Sequence, residues 1–250
     1  MKTVTQTVAG DRSPVVRVPL EGQAAVRRLI LFGTPLLTLV VLLLHPLPDA
    51  AHMPATGAPS GMDVYNMMAP LADRFLAVHA VFAPALGLLG LSVILLLKDM
   101  RGVAASVSRA GAFLFVVTYI MYETIIGTVT ALLVRGAATL PPSEQAVIGA
   151  AIYRNFQDPL FGDLPSLLSG VAWLSWTLAV VLAAFVLRRG GKPRLPCVLL
   201  GLSFIFISHA SLLGPLGMLL FLTAVMGLER AGSPLANREG SVIAGAPPAL

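Results

Sequence analysis

Ala110–Val134, read as AGAFLFVVTYIMYETIIGTVTALLV, decides the fold. It is an apolar run of about 25 residues, enough to cross a hydrocarbon core of about 30 Å as a helix. It contains a single ionisable acid, Glu123. A carboxyl group in hydrocarbon costs several kcal/mol unless it is protonated or paired, so an intramembrane acid marks a functional site by default.

The rest of the chain repeats the pattern. Of 250 residues, 56% are hydrophobic and 12% charged, and the mean hydropathy is +0.85, beyond the usage of soluble domains. Further apolar runs are Leu29–Leu44, Phe75–Leu97, Leu164–Leu187, Leu195–Ser208 and Leu212–Leu228. The first extends to the interface through Val26 and the stems of Arg27 and Arg28. The expected fold is all-α, a polytopic bundle of six transmembrane helices over residues 27–230. The segments 1–26 and 231–250, polar or rich in Gly, Pro and Ala, are expected to be disordered cytoplasmic tails. Between the spans, 45–70 is expected as an outer loop and 143–157 as an outer interfacial helix, with Ser143 as its cap. Asp163 is expected to cap the fourth span, and Glu144 to sit favourably in the first turn of the interfacial helix.

Charge gives the orientation. With both termini inside and six crossings, all of the 17 Lys and Arg except Arg74, Arg135 and Arg154 fall on the cytoplasmic side. The net charge of +5 is therefore a topology signal. No basic patch interleaved with aromatics points to nucleic acid. A cleaved signal peptide is not expected, because His45-Pro46-Leu47-Pro48-Asp49 replaces a small-residue cleavage site. Cys197 is the only cysteine, which rules out an internal disulfide and suits an inert buried thiol. The implied setting is a bacterial-type inner or plasma membrane. The implied partners are the bilayer and either a second copy of the chain or a larger membrane complex.

The candidate site follows from depth. Glu123 lies 14 residues beyond Arg109, about 21 Å up its helix. His79 lies 19 residues before Lys98, about 28 Å from the cytoplasmic face by the same measure. His45, His52 and His209 also fall at the outer side. Tyr119 and Gly127, one turn either side of Glu123, share its face, and the glycine admits a close neighbour. The run Leu195–Ser208 covers only about 21 Å, so its end can sink and carry His209 to the depth of Glu123. The candidate polar site is Glu123, Tyr119, His79 and His209, with His45 in reserve. A faint likeness between His79–Gly87 and His209–Gly217 raises the question of an internal repeat.

Three functional classes are compatible with these residues. The first expectation is a non-catalytic accessory or sensor-type membrane protein, in which Glu123 is a protonated hydrogen-bond donor and Trp173 and Trp176 serve packing. The second is a small proton-coupled transporter working through Glu123, with Gly87, Gly90, Gly127, Gly170, Gly214, Gly217, Pro84 and Pro215 loosening its helices. The third is an outer-side copper or haem site drawn from His45, His52, Met53, His79 and His209. The loop carrying Met53, Met62, Met67 and Met68 holds four of the nine methionines. No GxSxG, P-loop, HExxH or dinucleotide-binding glycine pattern supports an enzyme.

Overall fold

The computed structural model describes residues 21–46, 58–163, 165–209 and 211–231. These are helical, with no strand among the described residues. Among the described residues five helices are long and apolar enough to cross a membrane: α1 (Gly22–Leu44), α2 (Gly61–Leu96), α3 (Val103–Ala137), α5 (Leu167–Arg189) and α7 (Leu213–Ala231). Two shorter helices complete the set, α4 (Pro142–Phe156) and α6 (Arg194–Ile207). The run expected as a fifth crossing is thus the short α6, whose last turn, Ser203–Ile207, tightens to a 3-10 helix. Large side chains such as Leu43, Phe113, Leu132, Leu174 and Leu195 remain exposed on the flanks, as lipid-facing residues do.

Helices α2 and α3, 36 and 35 residues long, each reach roughly 50 Å and outrun a bilayer core. Their excess lies at one end, where α4 packs across them around Val64, Tyr65, Met68, Phe75, Val134 and Ile152. Two glycines permit that packing. A Cβ on Gly149 would stand 1.8 Å from the Gly61 carbonyl oxygen, and one on Gly61 would stand 2.0 Å from that of Ala146. The opposite end is basic. Arg27, Lys98, Asp99, Lys192 and Glu229 line one cavity there, and the Arg27 guanidinium donates to both Glu229 oxygens at 2.6 and 2.8 Å. The bundle therefore has a basic end and a histidine end, joined by a core of Phe82, Phe115, Trp176, Phe206 and Phe221.

Several local expectations are corrected. The segment expected as loop to Pro70 is helical from Gly61, because Ser60 and Asp63 form a reciprocal capping box. Asp163 does not cap α5; Ser166 does, exchanging hydrogen bonds with Ser169 at 3.2 and 3.1 Å. Ser143 is not the cap of α4 either, since Pro141 occupies that position and Pro142 starts the helix. The end of the segment expected as tail, 21–26, is already helical, as part of Glu21–Arg28. The repeat finds no support, because His79 lies inside α2 whereas His209 precedes α7. Gly214 and Gly217 seat the backbones of His209 and Phe206, to which an added Cβ would come within 2.6 and 2.3 Å.

Candidate functional site

Glu123 is 1% exposed. It is the last residue of regular α geometry in α3 before one turn of π-helix, Thr124–Val129. Such a turn widens a helix by one residue and recurs at functional sites. Here the widened turn presents Gly127 to the His79 ring so closely that a Cβ would stand 1.9 Å from His79 Cδ2. The glycine lets α2 deliver an imidazole onto the carboxylate.

The hydrogen bonds of the cluster form a chain. His79 Nδ1 lies 2.7 Å from the Phe75 carbonyl oxygen, which can only accept, so Nδ1 carries a hydrogen. His79 Nε2 faces Glu123 Oε2 at 3.2 Å. On the other side His209 Nε2 lies 3.3 Å from Glu123 Oε1. That second contact is close in distance but poorly aligned, and among the described residues Oε1 has no formed hydrogen bond. The Tyr119 hydroxyl sits 2.5 Å from His209 Nδ1 and more loosely, at 3.4 Å, from the Ile207 carbonyl. A donating Tyr119 places the His209 hydrogen on Nε2, facing Glu123.

His45 completes the group. It ends α1, where the Arg74 guanidinium pins the Leu44 carbonyl at 2.7 Å. Its ring stands edge-on to His79 and His209, with centroids 5.2 and 5.3 Å away. It is 8% exposed, yet among the described residues neither ring nitrogen has a hydrogen-bond partner within normal geometry. Four elements thus converge: the end of α1, α2, α3 and the turn after α6.

Beside the cluster is a cavity of about 250 Å³, walled by Tyr119, Tyr122, Trp173, Asp163, Ser208 and His209 among others. The Tyr122 hydroxyl donates to Asp163 Oδ1 at 2.6 Å, so Asp163 serves the cavity wall. Toward the basic end, the next turn of each helix is aromatic. Phe82, Phe115 and Phe206 follow His79, Tyr119 and His209, with Trp176 4.7 Å from Phe115 and 5.5 Å from Phe206 by ring centroids. The polar cluster thus has a cavity on one side and an aromatic layer on the other.

The residues expected to form the site, Glu123, Tyr119, His79 and His209, are brought together, with His45 against them. His52 and Met53 lie outside the described residues, while Met67 and Met68 are buried in the packing under α4. Among the described residues no group of three or more His, Cys, Asp or Glu side chains is placed to hold a metal ion. Sequence reasoning missed Phe75, Tyr122 and the role of Asp163. A tyrosine next to Glu123 was the one signal available for Tyr122. Comparison with known proteins matches no family model, no curated protein and no solved structure.

Proposed function

We propose that this multi-pass membrane protein is a proton-responsive protein of the sensor type, whose working element is the buried Tyr119–His209–Glu123–His79 chain. The observation that carries the reading is the commitment of His79 Nδ1 to the Phe75 carbonyl. A neutral His79 then presents a bare lone pair at Nε2, 3.2 Å from a carboxylate oxygen that also only accepts. The contact is attractive only with a proton between them, held as a carboxylic acid or an imidazolium. Removing that proton sets two lone pairs against each other in a buried site, at a cost of several kcal/mol. The contact therefore contributes while the proton is bound and is lost when the proton leaves. The groups facing it are His45, His209, Tyr119, Tyr122 and Asp163. The elements it ties together are the end of α1, α2, α3 and the α6–α7 turn, so proton loss loosens that end of the bundle.

The positive-inside distribution supports a cytoplasmic basic end and an external histidine end. The proton then exchanges with the outside, and the aromatic layer blocks the other route. We assign no catalytic step. Imidazole and carboxylate also suit copper or zinc, and elemental analysis of the purified protein decides that competition: a stoichiometric metal would replace the proton reading. The direct test is pH-difference infrared spectroscopy in nanodiscs. A carboxyl or imidazole band that titrates in the wild type and vanishes in Glu123→Gln supports the reading. Identical difference spectra overturn it.

A further inference from the structure

The cavity at the basic end has a chemistry of its own. It measures about 240 Å³, below the range of drug-sized pockets, which suits a small group. Its floor is apolar: Leu96, Leu187 and Leu228 are buried there, at the ends of the apolar runs of α2, α5 and α7. Its rim is the charge that follows those runs, Lys98, Lys192 and Glu229, with Asp99 beside Lys98 and Arg27 from α1. Leucines giving way to charges on three helices at one level mark the depth where hydrocarbon meets headgroups. Both lysines sit on fixed turns. The Arg109 guanidinium donates to the Leu97 and Met100 carbonyls at 2.5 and 2.6 Å, holding the turn that carries Lys98 and Asp99. After α5 the chain turns at Gly191, φ 84°, and the Lys192 amide donates to the Leu187 carbonyl at 3.1 Å. Both Glu229 oxygens accept from Arg27, so that carboxylate is neutralised within the wall. The two lysines then outweigh Asp99, and the surroundings reinforce them. Among the described residues, ten Lys and Arg stand against two acids within 27–28, 98–109, 188–194 and 229–230.

We propose that this cavity binds a phosphate group, and that its depth assigns that phosphate to the headgroup of an anionic phospholipid. Each lysine ammonium is a compact charge on a flexible stem, with three donors to offer phosphate oxygens. The positive-inside distribution turns this end to the cytoplasm, where the leaflet is the anionic one, and basic pockets between helices at that level suit phosphate headgroups. A phosphate held by both lysines bridges the α2–α3 and α5–α6 turns, beside the Arg27–Glu229 pair that joins α1 to α7. The site lies at the opposite end of the bundle from Glu123 and does not rest on the proton reading.

The test uses the full chain in neutral detergent, with bound lipid counted by native mass spectrometry. Dioleoylphosphatidylglycerol is expected to bind saturably, and dioleoylphosphatidylcholine, with the same chains but no net charge, about tenfold more weakly. Lys98→Gln and Lys192→Gln should each weaken phosphatidylglycerol about fivefold, whereas Lys192→Arg should retain most of the affinity. Arg194→Gln and Arg230→Gln remove the same charge at the same end but do not line the cavity, and should leave binding within about twofold of wild type. Glycerol 3-phosphate at the lipid's own concentration should not displace it. Equal binding of the two lipids, no saturable binding of either, or equal losses in the cavity variants and the Arg194 and Arg230 controls overturns the assignment. Displacement by equimolar glycerol 3-phosphate overturns the lipid as the source and gives the cavity to a soluble phosphate ester.

Discussion

Gly127→Ala isolates the contact between α2 and α3 with one carbon atom. The added Cβ would fall 1.9 Å from His79 Cδ2 and 2.3 Å from Nε2, far inside van der Waals contact. The ring has little room to retreat, because Phe75 stands 4.2 Å away and His45 5.2 Å away by centroids. Overpacking of this kind costs about 1–3 kcal/mol, and displacing His79 also breaks its contact with Glu123. An ordinary helical Gly→Ala change acts in the opposite direction by about 0.5–1 kcal/mol through chain entropy and propensity. Gly87 and Gly170 serve as internal controls, since an added Cβ meets nothing within 4 Å at either. Unfolding by denaturing detergent titrated into mixed micelles should rank Gly127→Ala below wild type and the two controls at or above it. In a His79→Ala background the Gly127→Ala cost should largely vanish, because the obstructing ring is gone. Gly127→Ala as stable as Gly87→Ala, or an undiminished cost without His79, would refute the reasoning.

Other consequences can be checked on the same preparation. Gly149→Ala sets a Cβ 1.8 Å from the Gly61 carbonyl, a backbone atom that cannot rotate away, so α4 should detach from α2 and become sensitive to protease. Intact resistance would contradict this. Ser166→Ala removes the capping box of α5 and should cost about 1 kcal/mol in the detergent titration, whereas Ser143→Ala should cost nothing measurable. Tyr119→Phe deletes the hydroxyl 2.5 Å from His209 Nδ1 and should destabilise by about 1–3 kcal/mol, because a buried ring nitrogen loses its partner.

Hydropathy made the helices legible, since spanning a membrane leaves a coarse and redundant trace in composition. The depths of Glu123, His79 and His209 could be counted along single helices from basic residues, and the shortness of Leu195–Ser208 was visible as a length. Neighbourhood was harder to read. That α2 lies against α3 at Gly127 depends on which small residues face each other, and Gly87 and Gly170 look the same in sequence yet face open space. The π-turn at Thr124–Val129 has no composition signal, because a one-residue register shift is fixed by tertiary packing. The caps were misread for a related reason. Asp163 and Ser143 are good capping residues, but Ser166 with Ser169, and Pro141 with Pro142, lie at the positions where the chain actually turns into the helix.

The central claim is that Glu123 and His79 share a bound proton. Potentiometric titration of the wild type and of Glu123→Gln in nanodiscs counts it directly. The account predicts that the wild type releases about one more proton per chain than the variant as pH rises through the titration of the pair. Superimposable titration curves would contradict it.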